Sequence, residues 1–286
     1  MNLIDAAIQG ILLGGLYALF AAGLSLIFGV MRLVNIAHGD FIVLAAYVAL
    51  VVVQATGLHP FAAVIIVAPV MAGIGYLLQR FVINRTLGPD LLPPILVTFG
   101  FAVIIQNSLL GLFSNDARRL SAGAIETMSV SAGSLAVGLL PLLTFAVAVV
   151  VIGLLELVFF RTAIGRAFRA TSDDPETARS IGVSTRHVAA LAMALSFAVI
   201  AVAGILLAAR SNFDPFAGPA RLIFGFEAVI IGGLGNLWGT LAGGIVLGVA
   251  QTFGAQISPA FQILAGHLVF FAVLAFRPRG LFPRMD

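Results

Sequence analysis

Few residues in this chain could do chemistry, and their spacing argues against most of it. The four histidines, His38, His59, His187 and His267, show no His-x-x-x-His or Glu-flanked pairing that would hold a metal. No Gly-x-Ser-x-Gly elbow marks a serine hydrolase. Every basic residue is arginine; without a lysine there is no phosphate-binding Gly-x-x-x-x-Gly-Lys-Ser/Thr loop. Cysteine is absent, which removes thiol and disulfide chemistry. Neither catalysis nor a cofactor is expected. Polar groups inside apolar sequence remain: Asn35, His38 and Asp40 in one interruption, Glu227 between Phe226 and Ala228, and Glu156 near the end of another apolar run. Ionisable residues in such surroundings are candidates for a transport path. Each also has a structural reading. Asn35 or Asp40 can cap a helix with His38-Gly39 as a turn, Glu227 can pair with Arg221 or Arg210, and Glu156 can reach the interface. The functional reading of Asn35, His38 and Asp40 is a helix N-terminus lining a hydrophilic path, which favours carboxylate groups.

The elements that must position these groups are membrane helices. The chain has 286 residues, 61% hydrophobic and 9% charged, with mean hydropathy +1.14; a soluble domain carries about 25% charged residues. Uncharged runs cover Ala6–Met31, Phe41–Gln79, Leu91–Asn115, Thr127–Glu156 (broken only by that last residue) and Ala228–Phe276. A spanning helix needs about 20 apolar residues, so several runs hold two passes. The expected fold is an all-α polytopic bundle of eight or nine spanning helices forming a single permease-type domain over 1–286. The net charge of +3 and pI near 10.2 do not mark a nucleic-acid binder. The arginines flank apolar runs, as membrane topology requires. MNLIDAAIQG has no basic n-region and is not expected to be a cleaved signal peptide.

Taken in order, Gly10-x-x-x-Gly14 gives the first helix a small face that would let a neighbour approach closely. Arg32, Arg80 and Arg85 are expected inside and the Gly57–Pro60 turn outside, so the first helix starts outside. Gly88-Pro89-Asp90 and Pro93-Pro94 break the chain on the inner side before a pass containing Gln106 and Asn107. Ser114–Ser134 is an outer loop in which Asp116 and Glu126 oppose Arg118 and Arg119. Leu135–Phe160 returns inward, Val188–Ala209 crosses outward, and Arg210–Arg221 links outside. Ile223–Leu234 is too short to span comfortably. Arg277, Arg279 and Arg284 close the chain inside. Nine crossings fit this order. Two interruptions, Asn35–Asp40 and Gly232–Gly239, are placed as in transporters built from inverted repeats.

The segment 161–187 is the most polar, with five arginines, two aspartates and a glutamate between long apolar runs. A charge at the bilayer centre costs roughly 2.5–3.5 kcal/mol on the mildest scale, so this loop is aqueous, and its arginines place it in the cytoplasm. Asp173, Asp174 and Glu176 around Pro175 suit a helix N-terminus, and Gly182 suits its end. A helix of two turns is too short to be stable alone; it fits a segment held by a partner, and a solvated connector is the alternative.

Three stretches together resemble one family: VNIAHGDF (34–41), GRAFRATSDDPETARSIGV (165–183) and IIGGLGNLWGTLAGGIVLG (230–248) are similar to the membrane permease of branched-chain amino acid ABC importers. The resemblance covers essentially the whole chain. It implies a subunit of the bacterial inner membrane that pairs with an identical or homologous permease. Two cytoplasmic ATP-binding subunits and a periplasmic amino-acid-binding protein would complete the importer. It also implies a coupling helix of the pattern Glu-Ala-Ala-x-x-x-Gly, matched here by Glu176, Thr177, Ala178 and Gly182, with Thr177 in place of an alanine. The downstream Ile-x-Leu-Pro of the broader motif is absent; the region reads Ala192-Met193-Ala194-Leu195. Urea or short amides as cargo, and a stand-alone ion-coupled transporter, are the alternatives.

Overall fold

The computed structural model describes residues 3–88, 90, 92–132 and 135–283; Pro89 of the expected inner break and the closing Arg284 lie outside them. Helix α1 (Leu3–Met31) is the axis of the molecule. It is apolar all round, and such a helix is stable only when enclosed; from Gly10 onward almost every residue is buried. Its broadest packing is against α10 (Leu237–Ile257), which runs antiparallel to it. The glycines make this possible. A Cβ on Gly14 would stand 2.5 Å from the Ile245 Cα, and one on Gly244 would stand 2.6 Å from the Gly14 carbonyl. The small face expected at Gly10 and Gly14 is therefore a backbone-to-backbone contact, with α10 as the partner.

Around α1 lie α8 (Thr185–Arg210), α5 (Leu139–Arg161) and α9 (Gly218–Gly232). Helix α8 in turn carries α2 (His38–Thr56) and α3 (Val64–Phe81), with Gly75 of α3 against the Phe197 ring. Helix α4 (Leu92–Phe113) rests on α2, and α11 (Phe261–Phe276) rests on α10 and α9. The peripheral helices expose Ile65, Leu96, Leu112, Leu154 and Phe271, the surface that lipid requires. Among the described residues, seven helices are long and apolar enough to cross a membrane. The shorter α9 and α11, of 15 and 16 residues, complete the bundle. The all-α membrane bundle expected from composition is what forms.

One face collects Arg32, Arg80, Arg85, the arginines of 161–187, and Arg277 with Arg279. Its elements are tied together: Ser172 Oγ donates to the Gly29 carbonyl, and Asn236 Nδ2 donates to the Phe282 carbonyl. This face carries α6 (Ala163–Asp173) and α7 (Pro175–Ser180), and it is the face that the arginine bias assigns to the cytoplasm in the sequence reading. On the opposite face β1 (Ser129–Ala132) and β2 (Leu135–Gly138) form a small hairpin, so the inward helix starts at Leu139 and not at Leu135. Arg118 and Arg119 are there opposed by Asp116 at 3.9 Å and Glu126 at 2.9 Å, as expected.

Two helices begin inside the bundle. After α1 the chain turns back, and α2 starts at His38, whose Nε2 lies 2.9 Å from the carbonyl of Phe20, about midway along α1. The break expected at Gly232–Gly239 is present, between the end of α9 at Gly232 and the start of α10 at Leu237. It is a turn on the arginine-rich face, with Gly233 and Gly235 at φ 108° and 79° and the 281–282 backbone donating to the carbonyls of Ile231 and Gly232. The second helix that begins inside the bundle is α9, at Gly218, where it meets α2. A Cβ on Gly218 would stand 2.8 Å from the Asp40 Cα, and one on Gly39 would stand 2.8 Å from the Leu222 nitrogen. Only two facing glycines allow this crossing. Arg221, one turn into α9, makes the segment read as an aqueous linker in sequence.

Candidate functional site

The starts of α2 and α9 bring together three of the four candidate path residues. Asn35 is fully buried, and its Oδ1 accepts from the Ala37 amide at 3.0 Å. The adjoining Ile36 amide donates to Thr98 Oγ1 of α4 at 3.3 Å. Neither Asn35 nor Asp40 caps α2; Ala37 stands at the cap position with no side-chain bond. His38 is not in a turn either. It opens the helix, fully buried. Because a carbonyl only accepts, the contact with Phe20 assigns the ring proton to Nε2. Nδ1 is then an acceptor, with no partner among the described residues. Gly23 makes room for the ring: a Cβ there would stand 2.9 Å from His38 Cε1.

Asp40 sits in the first turn of α2 and against the first residue of α9. Two helix N-termini converge there, each equivalent to about half a positive charge. The carboxylate answers both, and its Oδ1 accepts from Gln106 Nε2 of α4 at 2.8 Å. This is the arrangement of discontinuous helices: interior helix starts, polar side chains, and irregular backbone at membrane depth only where protein surrounds it.

Glu227 is not part of this junction. It lies nine residues beyond Gly218, about 14 Å along α9 at 1.5 Å per residue. Its partner is neither Arg221 nor Arg210: Oε1 meets Nδ1 of His267 on α11, and Arg210 donates instead to the Leu12 carbonyl at 3.4 Å. Nearby, Tyr17 OH donates to Gln251 Oε1 at 2.6 Å, joining α1 to α10. Glu156 lies along a small cavity with Asn236 and Ser25 at the inner end of α5. His267, Thr98 and Gln251 were not singled out by sequence reading. Their partners lie 40, 62 and 234 positions away, and no local pattern announces them.

On the arginine-rich face a short helix forms around Pro175 as expected, but Asp173 ends α6 and is not part of its N-terminus. Asp174 is the N-cap of α7: Oδ1 accepts from the amides of Glu176 and Thr177 at 2.9 and 3.0 Å, and Pro175 fills the first turn. Thr177 Oγ1 adds a bond of 2.5 Å to Asp174 Oδ2, which gives the Thr177 substitution a structural role. The Thr177 hydroxyl, then its amide, hold the Asp174 carboxyl below the usual carboxylate range. Gly182, at φ 89°, ends the helix, with its own amide on the Arg179 carbonyl and the Val183 amide on that of Ala178. Ala178 turns inward and is buried, whereas Glu176, Thr177 and Gly182 are exposed. Ile181, not among the expected residues, is 72% exposed. Behind α7, helix α6 is anchored by Arg169, which lies over the Phe160 ring and donates to the Phe159 carbonyl.

The fold and these two features can be set beside known proteins. Residues 6–275 match the family described as "Branched-chain amino acid transport system / permease component". The chain belongs to that family. It is a transport permease family and not an enzyme family. The permease is 28% identical to the high-affinity branched-chain amino acid transport system permease protein BraD of Pseudomonas aeruginosa, over 98% of this chain and 95% of BraD. It is 26% identical to the permease protein LivH of Escherichia coli K12, over 97% of this chain and 94% of LivH. A second E. coli permease protein of the same-named system, LivM, is 30% identical over 43% of this chain and 29% of its own length. No solved structure matches the chain significantly.

Proposed function

We propose that this chain, a single transmembrane permease domain over 1–286, is a membrane subunit of an ATP-driven importer for branched-chain amino acids in the inner membrane. A second permease subunit, identical or homologous, would complete the membrane part; likeness to both LivH and LivM supports such pairing. Two cytoplasmic ATP-binding subunits would supply hydrolysis, and a periplasmic binding protein would deliver the substrate. The observation that carries this reading is α7: a capped, glycine-terminated, six-residue helix presenting Glu176, Thr177 and Ile181 to the cytoplasm. Alone, a helix this short is marginal, so an exposed one is suited to be gripped. Movement of α7 would pass through α6 and α8, which it contacts, to the junction at His38, Asp40 and Gly218.

The test is reconstitution with the ATP-binding subunits and binding protein, followed by uptake of labelled leucine. Ile181→Arg is expected to remove ATPase association and uptake together. Asp40→Ala is expected to remove uptake while association stays. Uptake by the permease alone, driven by an ion gradient, would replace this reading with the secondary-transporter one. Uptake unaffected by Ile181→Arg would remove α7 from the coupling path.

A further inference from the structure

A bowl of about 870 Å³ opens on the cytoplasmic face beside α7. Four guanidinium groups line it, each from a different element: Arg32 after α1, Arg80 at the end of α3, Arg179 on α7 and Arg186 at the start of α8. Asp173 is the acidic residue in the lining. No ion pair of these arginines occurs among the described residues; Arg179 Nε is held by Thr185 Oγ1 at 2.9 Å, leaving its terminal nitrogens to the bowl. Arg32 stands at φ 52°, a left-handed conformation costly for a residue with a Cβ. Four like charges around one hollow repel one another, and they do so least when an anion sits between them.

We infer that this bowl receives an acidic segment of the ATP-binding subunit, as a second contact beside α7. This rests on the importer reading above. The bowl is lined from α1, α3, α6, α7 and α8, so its occupant meets α7 and the ends of three long helices at once. Among the described residues no aromatic side chain lines it, so a nucleotide base would find nothing to stack on. The charges are exposed at the rim, where complementarity acts mainly on encounter rate and salt dependence. The arrangement also couples the contact to the motor: Arg179 belongs to α7 itself, so an acidic segment in the bowl ties α7 to the inner ends of α1, α3 and α8.

The experiment uses the full permease in zwitterionic-lipid nanodiscs and a fluorescent hexaglutamate peptide as probe. With Arg80→Gln and Arg186→Gln combined, affinity is expected to fall about tenfold at about 50 mM salt and to differ little at about 500 mM, where the screening length is only a few ångströms. Asp173→Asn should act in the opposite direction and tighten binding, which keeps the test sharp if the double variant folds poorly. Equal binding by all forms overturns the proposal. So does displacement of the peptide by millimolar inorganic phosphate at constant ionic strength, which would make the bowl a simple anion site, or by glycerol phosphate but not inorganic phosphate under the same conditions, which would make it a lipid-headgroup site. Ile181→Arg reports separately: retained ATPase association would defeat the coupling role of α7, while peptide binding would still decide the bowl.

Discussion

Replacing Gly14 by alanine should loosen the molecule at its axis, and the size of the effect follows from the α1–α10 contact. The new methyl would stand 2.5 Å from the Ile245 Cα and 2.6 Å from the Gly244 carbonyl oxygen. Carbon atoms rest at about 3.5–4.0 Å, so the shortfall is about 1 Å. Both obstacles are backbone and cannot rotate away. Helix α10 must therefore back off, and a gap of about 0.5–1 Å already forfeits a quarter to a half of each dispersion contact along the interface. Overpacking of this kind costs about 1–3 kcal/mol, and the better helix propensity of alanine returns about 0.5–1 kcal/mol. The expected net loss is about 1–2 kcal/mol. Gly153 in α5 is the matched control, because nothing lies within 4 Å of its Cβ position. Gly153→Ala should be neutral or stabilise by about 0.5–1 kcal/mol. Thermal and denaturant unfolding of the two variants in detergent micelles gives both signs in one experiment. Equal effects from the two substitutions would refute the close-contact account.

Two further outcomes can be checked with the same preparations. His267→Ala should destabilise by about 1–3 kcal/mol, because it strips the buried Glu227 of its hydrogen-bond partner on α11; Glu227→Gln in the same background should recover part of that loss, since a neutral amide is less costly to leave buried. No recovery would mean that His267 acts through packing alone. Asp174→Ala should fray α7, read as faster hydrogen exchange at the Glu176 and Thr177 amides. Because the folded carboxyl titrates below its ordinary range, its contribution is complete above the unfolded value of about 3.9. It is lost as pH falls through the lower folded value. Protection of α7 should therefore be flat across neutral pH in the parent protein, and a decline between about pH 8 and 6 would contradict this assignment.

The local features of the site were legible in the sequence because their physics is local. Asp174, Pro175 and Gly182 define α7 within nine residues, since a cap, a first-turn proline and a left-handed stop each act on neighbouring backbone. The glycine pair Gly10 and Gly14 announced a close helix contact, but not with which helix. The bilayer sets helix length, so the membrane bundle also follows from the chain alone.

Tertiary structure decided what meets what. Glu227 pairs with His267, 40 positions away on another helix, and not with the nearer Arg221 or Arg210 that the sequence suggests. The glycine cluster at Gly232–Gly239 marks a real break, but such clusters do not say whether a break lies at the surface or in the core. Gly218 becomes the counterpart of Gly39 only when α2 and α9 cross. Asp40 gains its setting from Gln106 of α4 and the end of α9 in the same way. Sequence periodicity records which residues avoid water and where the backbone can bend. Which buried polar groups satisfy one another depends on helix–helix packing across long separations, and that is fixed only when the bundle closes.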